Sequence, residues 1–321
     1  MTINNTYLGY STNADLRIKA SSGGVGSSAV KYLFDSKLID FALSFCWDSL
    51  RLRYYPKFVA NFDDYSVCGS IYQDFDLIGF CRNSFKTFKA NTRVLIFTLP
   101  CQTMAIRKLA KQYQLTVYIM GLVCSSQQSF SATKYLLKLL KVNAKDVDFI
   151  RYRGNGWPSG VQITLKDQDN VFVPNNSSLW SKIFHSRLFV PRRCLFCQCV
   201  LNEQSDIALA DPWMLVSPAE DNIGKTLFMA YTECGVQLVQ SLMSDKAIVA
   251  REIAPESFLI AQKKTVNRKL AIRKFFVHWR MVTMIIENKA YHTLITSFRY
   301  LFRCHCYLIS MFELYLMRKA K

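Results

Sequence analysis

Four cysteines have the sequence context of ligands for a metal ion or an iron–sulfur cluster. Cys101 closely follows the apolar run RVLIFT, and Cys124 ends a second apolar run, LTVYIMGLV. Cys194 and Cys197 form a C-x-x-C pair much later in the chain. Such a pair supplies two thiolates, whereas a structural zinc ion or a 4Fe–4S cluster takes four ligands. We therefore predict one shared site, with Cys199 as an alternative ligand.

The elements around Cys101 and Cys124 predict how such a site forms. Residues 93–98 and 115–123 have the composition of buried strands, and residues 102–113 have the spacing of a helix between them. Two buried strands joined by a helix are parallel, so neighbouring ones open their carboxyl ends on the same side. Open α/β sheets bind ligands at that edge. The pattern thus predicts that Cys101 and Cys124 lie close together.

The rest of the chain predicts an α/β (α+β) fold, with a mixed sheet, βαβ units and flanking helices. Helical spacing marks residues 72–88 and 129–140, and alternation marks a hairpin over 161–175. From residue 266 onward the pattern is helical and basic. We therefore expect a C-terminal helical region beyond the sheet.

Two glycine-containing stretches are candidates for contact with a phosphorylated ligand. SSGGV at 21–25 precedes a helical pattern, and a helix N-terminus offers free N–H groups to phosphate; the alternative is an ordinary helix start. RYRGNGWPSG at 151–160 combines the charges of Arg151 and Arg153 with the flat ring of Trp157. This combination suits a flavin or a nucleotide, and the alternative is a tight hairpin.

Composition and charge narrow the class of protein. Half of the 321 residues are hydrophobic, which argues against disorder. Of the net charge of +18, residues 263–321 carry +11, from 13 Lys and Arg against two Glu. Such a tail suits anionic lipid, nucleic acid or an acidic partner protein. No apolar run reaches the ~18 residues of a membrane span, and no signal peptide is expected.

Five stretches stand out along the chain, and their order is informative. They are SSGGV (21–25), RVLIFTLPCQ (93–102), GLVCSS (121–126), RYRGNGWPSG (151–160), and CLFC followed by SDIALADPW (194–213). In kind and order they resemble the motifs of the coenzyme F420 hydrogenase and dehydrogenase beta subunit family, up to about residue 260. The chain departs from the family pattern at Thr98-Leu99, at Ser125-Ser126 and at Ala210.

The resemblance implies an oxidoreductase that binds FAD beside a 4Fe–4S cluster. The implied cluster ligands are Cys101, Cys124, Cys194 and Cys197. The implied flavin-facing residues are Ser22, Gly23, Gly24 and Val25 in the first turn, and Arg153, Gly154, Asn155, Gly156 and Trp157 in the later loop. No catalytic acid–base pair is identified. The implied regions are the N-terminal part of the flavin-binding domain (1–92), a cluster- and flavin-binding catalytic domain (93–262) and a basic amphipathic helical tail (263–321).

The resemblance also implies partners. Many family members carry an N-terminal ferredoxin segment with two C-x-x-C-x-x-C runs, which this chain lacks. We therefore expect a separate electron-transfer protein, either ferredoxin-like or a hydrogenase- or dehydrogenase-type subunit. The expected location is the cytoplasm, with the tail suited to peripheral membrane contact and with no motif for nucleic acid. Related bacterial chains suggest a link to polysaccharide biosynthesis.

Two other readings remain open from the residues alone. In the first, the four cysteines bind zinc and the protein is a non-redox binding module, which leaves the glycine stretches unexplained. In the second, the pairs Asp74/Asp76 or Asp146/Asp148 serve a sugar transferase. The four histidines match no metal or triad spacing, although His305 lies between two cysteines.

Overall fold

An eight-stranded mixed sheet forms the centre of the protein in a computed structural model that describes residues 5–167, 169–175, 179–195 and 197–285. In spatial order its strands are β11 (Ile248–Ile253), β1 (Asn5–Ser11), β10 (Thr226–Ala230), β9 (Ile207–Ala210), β5 (Thr116–Leu122), β4 (Arg93–Thr98), β2 (Phe41–Asp48) and β3 (Arg53–Val59). The four strands β9, β5, β4 and β2 run parallel, and the outer strands pair antiparallel. The predicted α/β fold is confirmed.

The helices of the described residues pack against the main sheet or beside it, and several begin at a residue whose side chain caps the first turn. They are α1 (Ala14–Lys19), α2 (Val25–Asp35), α3 (Leu77–Phe85), α4 (Pro100–Gln112), α5 (Phe130–Leu139), α6 (Leu179–His185), α7 (Arg192–Leu195), α8 (Glu233–Ser244) and α9 (Glu256–Ile285). The carboxylate of Asp76 accepts the Gly79 N–H and caps α3. The helix predicted over 72–88 is therefore shorter, because Gln73 bonds to the Tyr54 N–H instead of continuing a helix.

A second, three-stranded antiparallel sheet lies beside the first. Its strands are β6 (Val147–Arg151), β7 (Gly160–Leu165) and β8 (Asn170–Pro174), which contain the predicted hairpin. The Tyr54 hydroxyl donates to the carbonyl of Ile150 at 2.6 Å and ties the two sheets together. Trp180 of α6 and Leu136 of α5 are buried against the second sheet. This small sheet carries the loop 152–159 toward the main sheet.

Helices cover both faces of the main sheet, so most side chains of its central strands are apolar. In β4, Val94, Leu95 and Ile96 are fully buried, as expected for a parallel strand with helices on both faces. Leu95 packs with the cluster that includes α2 and α8, whereas Ile96 packs with α3 and α4. Phe85 is also fully buried, and a side chain of this kind stabilises the fold by about 1.5–3 kcal/mol.

The predicted βαβ unit is confirmed. β4 pairs with β5 in parallel from Arg93↔Thr116 to Thr98↔Gly121, with α4 as the crossover. Cys101 lies in the first turn of α4, and Cys124 lies two residues after β5. Both cysteines are therefore at the carboxyl edge of the parallel strands.

The C-terminal helix begins earlier than the pattern indicates. α9 begins at Glu256, ten residues before the predicted onset, because Phe258 is fully buried in the core. The predicted helices beyond residue 285 and His305 lie outside the described residues. None of the helices in the described ranges combines the length and hydropathy of a membrane span. The division at residue 92 stays a prediction, and strands from both sides of it share the main sheet.

Candidate functional site

The structure brings the four predicted ligand cysteines together. Burial is the largest cause of the raised pKa of the Cys101 thiol, and the thiols of Cys197 and Cys194 raise it further. Burial likewise raises the pKa of Cys124 to about 12, with contributions from Cys194, Cys101 and Cys197. The contributions of the other thiols, unlike that of burial, require the four side chains to be near one another. Chain segments at least 70 residues apart therefore meet at one edge of the sheet.

The chemistry of this donor set fits both groups that the sequence suggests. Four thiolates are the ligands of a 4Fe–4S cluster and also of many structural zinc ions. Within the described ranges, no three His, Cys, Asp or Glu side chains converge closely enough to hold a single metal ion. The thiols would therefore have to move closer around either group. Cys199, the alternative ligand, is exposed beside Cys197.

A buried lysine from α9 lies against the cysteines. The Lys269 ammonium donates to the Cys199 carbonyl at 2.6 Å and to the Cys197 sulfur at 3.8 Å. Its side chain is almost fully buried. A nearby cation favours the thiolate, which is the form that binds metals. The sequence pattern contained no signal for this contact, because Lys269 belongs to the predicted tail.

A cavity of about 440 Å³ adjoins the cysteines. Cys124 lines it, so the thiol group and the cavity share a wall. The opposite side includes Ser22, Gly24 and Val25 of the predicted turn, together with Arg153. Sites for cofactors and small molecules typically have volumes of about 300–1,000 Å³.

The first turn of α2 lines the cavity with Val25, Gly26 and Ser27. Gly24 precedes the helix with φ +80° and makes no side-chain cap bond, so the first N–H groups of α2 remain available. A Cβ atom on Gly24 would lie 3.0 Å from the Leu16 carbonyl oxygen. Gly23 lies behind the turn, where a Cβ would meet the Thr226 nitrogen at 2.5 Å. Glycine at both positions therefore lets the turn pack closely beside the cavity.

Arg153 forms a buried ion pair with Asp211. Its guanidinium donates to both carboxylate oxygens of Asp211, at 2.7 and 2.9 Å, and to the Ser21 carbonyl at 2.8 Å. Burial opposes the charge on Arg153, but the adjacent carboxylate raises the pKa of the guanidinium overall. The Trp157 indole N–H also donates to Asp211, at 3.1 Å. Sequence reasoning saw the end of the SDIALADPW strand but missed Asp211 as the partner of Arg153.

The other residues of the predicted loop support the site from behind. Asn155 donates its backbone N–H to the Ile18 carbonyl at 2.7 Å. Gly154 has φ +125°, and a Cβ atom added to it would lie only 2.6 Å from the Lys19 carbonyl oxygen. Trp157 is buried against Trp213, with ring centres 5.1 Å apart, and it is Trp213 that lines the cavity. Of the loop, Arg153 reaches the cavity, whereas residues 154–157 are not part of its lining.

Helix α9 supplies cavity residues that sequence reasoning did not identify. Gln262, Thr265 and Arg268 lie on the cavity wall. The Gln262 amide donates to the Asp211 carbonyl at 2.8 Å, which fixes the helix against the end of β9. The acidic pair Asp74/Asp76 has structural partners instead, because Asp76 caps α3 and Asp74 lies 3.9 Å from Arg53.

Comparisons with known proteins match most of the chain to one family. Residues 6–74 and 91–256 match the two halves of a family described as coenzyme F420 hydrogenase/dehydrogenase, beta subunit, N-terminal and C-terminal respectively. The F420-dependent formate dehydrogenase subunit beta of Methanocaldococcus jannaschii is 26% identical over 269 residues, which cover 78% of this chain and 65% of that relative. A chain of the F420-reducing NiFe hydrogenase complex of Methanosarcina barkeri, solved as a xenon derivative, has a TM-score of 0.61 at 14% identity. That likeness covers 84% of this chain and 91% of the solved one, and it concerns the fold alone.

Proposed function

This chain belongs to the coenzyme F420 hydrogenase/dehydrogenase beta subunit family, a family of redox proteins, and on that premise we propose that it is an FAD- and iron–sulfur-dependent oxidoreductase. FAD would bind in the cavity, and a 4Fe–4S cluster would bind to Cys101, Cys124, Cys194 and Cys197. The observation that carries the proposal is the position of Cys124, whose thiol lies near the other three and also lines the cavity. One side chain thus connects the two sites.

The residues around the cavity suit this chemistry. When bound, the flavin would supply exchange of electron pairs, and the cluster would supply exchange of single electrons. The uncapped first turn of α2 would bind a phosphate, and the ion pair between Arg153 and Asp211 holds the neighbouring turn in place. Phe45 and Phe97 line the cavity with apolar rings. These residues bind and orient, and no acid–base pair is assigned.

The proposal also concerns the substrate and the partners. The names of both relatives mention F420, so a deazaflavin-type molecule is one candidate redox substrate. We expect a separate electron-transfer protein as partner, because the chain carries four candidate ligands for one cluster. The cytoplasm, peripheral membrane contact through residues 263–321 and a role in polysaccharide biosynthesis remain proposals.

Anaerobic purification with metal and flavin analysis tests the proposal directly. We expect a brown protein with about four iron and four acid-labile sulfide per chain, as a 4Fe–4S cluster requires, and about one FAD. A colourless protein that holds one zinc ion and no flavin would instead support the non-redox binding module.

Replacing Gly24 with alanine tests the phosphate-binding turn. We expect FAD affinity to fall by about tenfold. A left-handed backbone costs an L-residue roughly 1–2 kcal/mol, and the Cβ would crowd Leu16 and Arg17 of α1, so the turn that presents the N–H groups of α2 would shift. FAD titration of the flavin-free protein measures this change.

Gly156→Ala is the matched control for this prediction. It has φ +109° and a similar approach, 3.1 Å from the Asn222 carbonyl oxygen, but it lies outside the cavity lining. We expect it to lower stability while FAD affinity stays near that of the wild type. Equal losses of FAD affinity in both variants would argue against phosphate binding at α2.

A further inference from the structure

Helix α9 is built into the site although it lies beyond the matched family region. The family match ends at residue 256, where α9 begins. Gln262 anchors the helix to the Asp211 carbonyl, and two turns later Lys269 anchors it to the Cys199 carbonyl at 2.6 Å. The helix therefore spans the distance from the end of β9 to the cysteine segment. Thr265 and Arg268, which lie between these two anchors, line the cavity.

Arg268 lies between these anchors and has no partner for much of its guanidinium. It lines the cavity, and its Nε and Nη2 atoms are buried without a hydrogen-bond acceptor. Burial lowers the pKa of this side chain, with the Cys124 thiol as the neighbouring group that opposes the shift. The side chain as a whole is half-buried, but donor atoms that are buried without an acceptor are costly, so they normally have a partner.

Among the described residues that line the cavity, the charged side chains are Arg153, Asp211 and Arg268. Asp211 already pairs with Arg153 through both carboxylate oxygens. The Cys124 thiol is the other neighbour of Arg268, and in the proposed function its sulfur is bound to the cluster. No carboxylate of this lining is therefore left to pair with Arg268, and the positive end of α2 lies on the same wall.

We propose that Arg268 binds an oxyanion, a phosphate or pyrophosphate group, of the ligand that fills the cavity. A guanidinium presents a planar set of donors that matches the oxygens of phosphate, and it keeps its charge at all ordinary pH values. This inference rests on the proposed function, because it assigns the anionic part of the ligand in the same cavity. It makes α9 a part of the binding site that the family match does not include.

Binding measurements on the full chain with its metal centre in place test the inference. The variants are Arg268→Met, Arg268→Lys and, as control, Lys264→Met, which removes an exposed charge from the same helix. The ligands are FAD, riboflavin, which lacks phosphate, and inorganic pyrophosphate, measured by its effect on Tm. Arg268→Met removes two buried donor atoms that have no acceptor, so we expect it to fold with an unchanged or higher Tm without ligand.

We expect Arg268→Met to bind FAD about 10- to 100-fold more weakly and to lose protection by pyrophosphate, while riboflavin binding is unchanged. Arg268→Lys should recover part of both effects, and Lys264→Met should behave like the wild type. Loss of pyrophosphate protection with full FAD affinity would also support the inference, with a substrate rather than FAD as the source of the oxyanion.

Other outcomes separate this inference from the proposed function. If the wild type binds no FAD but is protected by pyrophosphate, and Arg268→Met is not, the proposed function fails and the oxyanion site stands. Wild-type FAD affinity and wild-type pyrophosphate protection in Arg268→Met would overturn the inference. Equal weakening of FAD and riboflavin would overturn it too, because phosphate would then play no part.

Discussion

Replacing Cys101 or Cys197 with serine is expected to remove iron from the protein while its flavin content stays the same. A serine hydroxyl is a poor substitute for the thiolate that each iron of a cluster requires. Neither residue lines the cavity, so flavin binding should be preserved. Iron, acid-labile sulfide and FAD per chain, together with visible absorbance, measure the result. We expect less than about one iron per chain, compared with about four for an intact cluster.

Cys234→Ser is the matched control for these variants. Cys234 is an exposed cysteine in the first turn of α8 and does not line the cavity, so its replacement should leave both iron and flavin at wild-type levels. Cys199→Ser tests the alternative ligand in the same experiment. Full iron content in Cys101→Ser and Cys197→Ser, combined with loss of iron in Cys199→Ser, would replace the proposed ligand set.

Replacing Asp211 with alanine is expected to destabilise the protein by about 3–5 kcal/mol, because it leaves the buried Arg153 guanidinium without its counter-ion. The same carboxylate also accepts the Trp157 indole N–H, so the loop 152–159 loses this hydrogen bond as well. The free energy of unfolding from urea titration measures the effect, and FAD titration shows whether the turn at Ser21 is displaced.

Two further variants separate loss of the buried pair from a general effect of removing a carboxylate. Asp35→Ala breaks an exposed pair with Lys31, and it should cost about 0.3–0.5 kcal/mol. The double variant Arg153→Met with Asp211→Ala should recover a substantial part of the stability, because it removes both buried charges. A double variant no more stable than Asp211→Ala would contradict this explanation.

The secondary structure around Cys101 and Cys124 can be predicted from the amino-acid sequence alone. The apolar runs and the helical spacing between residues 93 and 123 predict a βαβ unit, and short-range periodicity suffices for that. Parallel pairing then places Cys101 and Cys124 at one edge, as the structure confirms. The ordered motifs also indicated the family correctly, because they record residue types that the fold requires at fixed places, such as glycine at position 24 with its positive φ.

In the helix predicted over residues 72–88, contacts with distant residues override the helical spacing of the first few positions. The residues before Asp76 have helical spacing, but the side chain of Gln73 bonds to the Tyr54 N–H, the Leu52 carbonyl and the Tyr152 hydroxyl. Leu52 and Tyr54 lie just before and within β3, whereas Tyr152 directly follows β6, and no local pattern encodes contacts with such distant segments. The chain therefore remains non-helical until Asp76 caps α3.

Which residues line the ligand cavity depends on contacts between elements that are distant in the chain. Arg153 and Asp211 are 58 residues apart, and they meet because β9 lies between β5 and β10 in the sheet. Arg268 and Lys269 reach the cavity and the cysteines because α9 packs across the end of β9. The periodicity of apolar residues predicts the structure within one helix or strand. These contacts depend instead on the order of the strands and on where the helices dock. Both arise from packing between elements that are distant in the chain.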